Sequence, residues 1–279
     1  AYKLFLNGKQ LGGAGKVGKT VEDSIATWKT EVKAFQSNSN QMDFILQISN
    51  FSAGGGAVQR KIVLGQEQDV LDLKKLSMII AVFLCGIYVA IGFYHLLLFY
   101  TRVKEKTFLA IGLAADCFFF YTICWYESFF FELFPDFNWH TFAQIAWLSL
   151  ILLPLILASF CRSIFPSIFS TWVFRSILVF TAVITVGILF LPIAKTFNLA
   201  KLIFVVEMAI SFYCIYVASV AVRRKLKGAS FVFMGVVAWL FANVCVGLYG
   251  LSVLETDFSH LGFFLFIMLQ SVAVSVRFS

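Results

Sequence analysis

Among the polar residues inside the long apolar stretches of this 279-residue chain, four stand out: His95, Asp116, Glu207 and Gln270. An ionisable group kept in hydrocarbon is expensive, so it is by default a candidate for handling a proton, an ion or a signal. Asp116 lies nine residues into its apolar run, ~14 Å along a helix and near the middle of a bilayer core. Glu207 stands eight residues into its own run. For Asp116 and Glu207 two readings stay open: a switch that works through protonation or a buried partner, and plain hydrogen bonding between helices. Interhelical bonding accounts for the uncharged Gln144, Asn243 and Gln270.

Other chemistry-bearing residues lead less far. Gly13 to Thr20 read GAGKVGKT, the phosphate-loop pattern. That motif needs a strand running into the loop and a helix leaving it. Here an Asn7-Gly8 turn intervenes, and no later hydrophobic strand ends in an Asp that would hold magnesium. A glycine-rich surface turn is the expectation. Glu127, Glu132, Asp136, His140, Glu255, Asp257 and His260 lack the spacing of a metal site. The three histidines, His95, His140 and His260, are scattered along the chain. The six cysteines all fall in apolar runs without a Cys-x-x-Cys pair. No metal, cofactor, disulfide framework or enzymatic activity is expected.

The elements that must hold these residues follow from composition. The chain is 60% hydrophobic, 18% aromatic and only 13% charged, with a mean hydropathy of +0.88. A soluble domain carries about a quarter charged residues. A helix of around 20 apolar residues crosses a bilayer, and seven stretches have that character: roughly 77–101, 107–131, 141–162, 170–194, 199–221, 229–253 and 258–276. The fold expected is an all-α seven-helix membrane bundle.

Its orientation follows from the joints. Arg102, Lys104 and Lys106, then Arg162 and Arg175, then Arg223, Arg224, Lys225 and Lys227, and finally Arg277 fall on one side. The other side holds Lys195 and Lys201, with acidic loops besides. Positive joints stay cytoplasmic on insertion, so the N-terminus is expected outside and the C-terminus inside. Glu207 then lies in the outer half of its span and His95 near the inner end of the first. The 223–227 cluster is expected to contact anionic lipid at the inner face or an output domain. Cations placed at membrane joints give no reason to expect a nucleic-acid partner.

Residues 1–65 differ from the rest. Tyr2 to Leu6, Asp43 to Phe51 and Lys61 to Leu64 read as strands, and Asn7-Gly8 as a hairpin turn. Residues 66–76 read as a polar linker. A helix over 21–35, with Val21, Ile25, Trp28, Val32 and Phe35 on one face, competes with extended structure there. A β-rich segment this small is short of core. With Ala rather than Met at position 1, this suggests that more protein lies at one or both ends.

Several stretches carry a resemblance: LFLNGKQLGGAGKVG (4–18), LQISNFSAGGGAVQRKIVLG (46–65), the seven spans, and VAVSVRF (272–278) ending in Arg277-Phe278. Together they resemble the bacterial seven-transmembrane receptors with diverse intracellular signalling modules. The resemblance implies a jelly-roll sensor domain outside, similar to carbohydrate-binding modules, of which this chain would hold the later part. It also implies an inner-membrane receptor, a small-molecule ligand, and a cytoplasmic output module such as a kinase or cyclase after residue 279. It favours extended structure over 21–35. Asn50, Gly54, Gly55 and Trp28 are the ligand-binding candidates in the outer segment. Ala53, Gly54, Gly55, Gly56, Ala57 and Val58 depart from the basic or aromatic residues usual at that turn, and small side chains neither stack on a sugar nor pair with an anion. Signalling through small shifts of packed helices makes a homodimer the expected assembly. A secondary transporter is the rival reading, although only Pro154 and Pro192 lie inside spans and no internal repeat is visible. The seventh span has no Lys for a retinal Schiff base, and the third ends Phe160-Cys161-Arg162-Ser163, without the acidic-Arg-Tyr triplet of eukaryotic G-protein-coupled receptors.

Overall fold

The structure, a computed structural model, describes residues 1–27, 30–36, 41–51, 62–101, 105–125, 130–134, 136–251, 253–254 and 256–278. Three strands, β1 (Tyr2–Leu6), β2 (Lys9–Ala14) and β3 (Phe44–Ile48), precede eight helices. These are α1 (Glu67–Thr101), α2 (Lys106–Trp125), α3 (Phe130–Leu133), α4 (Trp139–Ile164), α5 (Thr171–Phe190), α6 (Ile193–Arg223), α7 (Ala229–Gly250) and α8 (Ser259–Phe278). All but the four-residue α3 are long and apolar enough to cross a membrane. Together the seven form an all-α transmembrane domain. The chain divides into two compact units: residues 1–82, 123–146 and 187–200 make one, and 83–122, 147–186 and 201–279 the other.

In the first unit the sheet is antiparallel, in the order β2-β1-β3. Asn7 (φ 48°) and Gly8 (φ 80°) form the two-residue turn, whose left-handed conformation matches the twist of the flanking strands. The register pairs Tyr2 with Ile48, Leu4 with Leu46 and Leu6 with Phe44, so these six apolar residues share one face. The phosphate-loop pattern is spent on local structure. Gly13 and Ala14 end β2, Lys16 bridges to Ile25, and the Gly18 amide donates to Ser49 Oγ at 3.3 Å. Among the described residues of 21–35 there is no helix, in agreement with the extended alternative.

Two expectations need correction. Ile62 to Leu64 form no strand; Lys61 lies outside the described residues. The segment read as a linker, 66–76, is helical from Glu67, because Glu67 and Asp69 favour a helix N-terminus and Val70, Leu71, Leu73 and Leu76 continue the pattern.

The joints between helices also have local causes. Asn138 precedes α4, and its Oδ1 accepts from the amides of His140 (2.8 Å) and Thr141 (3.1 Å), satisfying donors that the first turn leaves open. Trp125 is the last described residue of α2, and its indole donates to the Ala146 carbonyl at 3.1 Å. Helix α5 ends at Phe190, two residues before Pro192. The residue before a proline avoids helical geometry. Pro154, by contrast, sits inside α4, which runs on through it.

In the second unit the core is aromatic. Phe118 of α2 meets Tyr88 of α1 (5.5 Å between ring centres), Trp239 of α7 (5.8 Å), and Phe263 (4.8 Å) and Phe266 (6.0 Å) of α8. Offset and edge-on ring pairs of this kind add specificity beyond the area they bury.

Candidate functional site

The polar residues of the second unit are held by helix packing of two kinds. Gly92 of α1 has no Cβ, and one placed there would stand 2.8 Å from Asp116 Oδ1. The missing side chain is what lets the carboxyl lie against the neighbouring backbone. Asp116 falls at the middle of the 20-residue α2 and is half-buried. Gln270 of α8 is fully buried over Gly235 of α7, where any Cβ would overlap its amide. Its Nε2 donates to the Val232 carbonyl at 3.3 Å, and its Oε1 has no partner among the described residues.

Glu207 of α6 is 8% exposed and faces the Asn243 side chain of α7. Asn243 Nδ2 donates to the Trp239 carbonyl at 3.0 Å. One turn along α6, Ser211 Oγ donates to the Glu207 carbonyl (2.8 Å) and accepts from Trp239 Nε1 (3.1 Å). The Ser211 hydroxyl, the Trp239 indole and one Asn243 amide proton are thus spent on neighbours, and the second Asn243 amide proton is the donor that faces the Glu207 carboxyl. Tyr121 of α2 packs edge-on to Phe263 at 5.4 Å. Its hydroxyl faces Ser259, with Asp257 and Glu207 in electrostatic reach. Asp257 accepts from the Ser259 amide at 2.8 Å and so caps α8.

His95 of α1 is buried, with Nδ1 3.0 Å from the Ile91 carbonyl of its own helix and its ring against Tyr94 and Phe108. No hydrogen bond among the described residues joins His95, Asp116 or Gln270 to Glu207. The four interior candidates therefore occupy separate helix contacts rather than one network. Sequence reading had not singled out Ser211, whose hydroxyl meets the Glu207 carbonyl, or Trp239, whose indole meets Ser211; a hydroxyl or indole in an apolar run looks like ordinary core until its partner is known.

Arg223 at the end of α6 and Arg224, Lys225 and Lys227 on the turn into α7 are exposed, where Lys225 (φ 55°) and Gly228 (φ 78°) reverse the chain. None pairs with a carboxylate among the described residues. Arg277, in the last turn of α8, donates to the Ile164 carbonyl at the end of α4 over 2.6 Å. Thr107 of α2 and Ser163 of α4 share a hydrogen bond of 3.1 Å near that same α4 terminus. Of the ligand-binding candidates, Asn50 is exposed just after β3, while Trp28, Gly54 and Gly55 lie outside the described residues. Among the described residues no group of three His, Cys, Asp or Glu side chains could hold a metal ion.

Residues 77–277, the whole run of apolar helices, match the family described as 7TM diverse intracellular signalling. The chain belongs to that family. No curated protein and no solved structure matches it. As a 7TM diverse intracellular signalling protein it is a multi-pass membrane receptor with a role in signal transduction.

Proposed function

We propose that this receptor senses an extracytoplasmic small molecule, carbohydrate-like in kind, through a domain that includes the N-terminal sheet. The seven helices carry the change to a cytoplasmic output module beyond residue 278, in the inner membrane of a bacterium. It works as a homodimer and is not itself an enzyme. The observation that carries the reading is the charge asymmetry at the span ends: ten cations fall on the side of the α8 exit, against Lys195 and Lys201 between spans on the other side and Lys74 and Lys75 ahead of the first span. A message entering at the sheet leaves where the charge is. The exposed 223–227 turn lies on anionic lipid, which holds that end of α6 and α7 at the membrane surface.

Separate packed contacts with discrete partners, such as Asp116 on Gly92 and Arg277 on Ile164, suit small helix shifts. They support a receptor over the alternative, a secondary transporter. Transport calls for broken helices around a central site, and α4 runs unbroken through Pro154.

Topology is tested by labelling intact cells with a membrane-impermeant maleimide. All six native cysteines are buried and give little background. Cysteine in place of exposed Lys9 reacts from outside, and cysteine in place of exposed Leu226 reacts only after lysis. The reverse pattern refutes the receptor orientation. Uptake of solute by the purified protein in liposomes would favour the transporter.

A further inference from the structure

Helices α7 and α8 meet closely at three levels. A Cβ on Gly262 of α8 would stand 2.6 Å from the Ala238 carbonyl oxygen and 2.8 Å from the Ala242 Cβ of α7. One on Gly235 of α7 would overlap the Gln270 amide, whose Nε2 donates to the Val232 carbonyl. One on Gly228, the N-cap of α7 in left-handed conformation (φ 78°), would stand 2.8 Å from the Ala273 carbonyl oxygen. Rising numbers on α7 match falling numbers on α8, so these are successive levels of one antiparallel seam. Small residues let helices approach this closely, and a seam so tight has no room to slide. The contacts of α8 with α2 and α4 are made by side-chain ends instead. The Phe118 ring lies on Phe263 and Phe266, and the Arg277 guanidinium on the end of α4. Contacts of that kind re-form after a small helix shift.

The innermost level of the seam is also the end of the basic turn. Arg223, Arg224, Lys225 and Lys227 are exposed immediately before Gly228. The turn is stiff: the amides of Arg224, Lys225, Leu226 and Ala229 donate to the carbonyls of Val220, Val222, Ala221 and Leu226 at 2.9–3.1 Å. A pull on its cations therefore reaches Ala273, one turn before Arg277 at the end of α8.

We propose that lipid charge is a second input to this receptor: anionic headgroups bound at the 223–227 turn shift α7 and α8 as one unit against α4 and so set the position of the α8 exit. The inference rests on the reading that this turn meets anionic lipid. It adds that the binding is transmitted to α8 and does more than anchor. Clustered cations at a membrane surface attract such lipid with a strength that salt weakens.

The test uses the whole chain in nanodiscs of phosphatidylcholine alone or mixed equally with phosphatidylglycerol. Spin labels are carried on Ser167→Cys, Leu226→Cys and Ser275→Cys, all at exposed positions, singly or in pairs. Phosphatidylglycerol is expected to immobilise the label at 226 and to shift both the 167–226 and the 167–275 distance, by about 1–2 Å. Arg223→Gln, Arg224→Gln, Lys225→Gln and Lys227→Gln together abolish both shifts, and high salt does the same with the native turn. A label at 226 that ignores phosphatidylglycerol refutes the lipid reading of the turn, and the inference falls with it. A label that responds while the 167–275 distance stays fixed makes the turn an anchor only and overturns the inference alone. A 167–275 shift that survives the four substitutions puts the lipid effect elsewhere and also overturns it. Should the fourfold variant insert poorly, Lys225→Gln with Lys227→Gln takes its place; a shift smaller than in the native turn is then expected, and an undiminished one overturns the proposal.

Discussion

Gln144 of α4 donates through Nε2 to the carbonyl of Ile188, 3.3 Å away, and to that of Leu189 at 3.0 Å. The Ile188 carbonyl would be bonded by the amide four residues on, but that residue is Pro192, which has none. A side chain from another helix thus supplies the donor that the proline removes. Gln144→Leu should cost about 1–2 kcal/mol, because a carbonyl is left bare where little water competes. Adding Pro192→Ala, which restores the amide, should recover part of that loss. A double-mutant cycle by thermal unfolding in detergent checks it; purely additive effects would disprove the link.

Asp116 should matter to signalling rather than to assembly. Asp116→Asn keeps the contact with Gly92 and removes the titratable group, so membrane insertion is unchanged. Basal output of the full-length receptor shifts severalfold. Gly92→Ala drives a methyl into Asp116 Oδ1 and should lower stability by roughly 1–3 kcal/mol, as overpacking does. Unchanged output in Asp116→Asn across the ligand range would leave Asp116 a packing residue.

Trp239 depends on Ser211 for its indole proton. Ser211→Ala should destabilise by about 1–2 kcal/mol, since Trp239 Nε1 is then buried without an acceptor. In a Trp239→Phe background the same change should cost clearly less. Equal costs in both backgrounds would mean that the hydrogen bond contributes nothing.

Arg277 fixes the last turn of α8 on the end of α4. Spin labels on exposed Ser167 and Ser275 should show a broadened distance distribution in Arg277→Ala. Arg277→Lys, which can still donate once, should broaden it less. An unaltered distribution in Arg277→Ala would show that neighbouring contacts hold the helix alone.

Much of the architecture was legible because hydrocarbon leaves few choices: seven apolar runs can only be helices, and Asn7-Gly8 between alternating residues can only be a tight turn. The misread joints have definite causes. Residues 67–76 are too polar to count as a span, which hid their helical pattern behind the word linker, although Glu67 and Asp69 marked its start. Pro192 was placed inside a span, yet it ends one helix and opens the next. Asn138 before Trp139 was a capping signal left unused. The candidate site was legible residue by residue and not as a site. Glu207 announces itself by its cost in an apolar run, but Asn243, which faces it, lies on the next helix, far from it in sequence. Only the pairing of α6 with α7 brings the two together.

Leu191 and Pro192 are all that separates α5 from α6. So short a connection favours joint insertion of the two helices as a hairpin, with Arg175 near the start of α5 and Arg223 at the end of α6 kept on one side. Lengthening that connection should be felt first in the yield of correctly inserted protein.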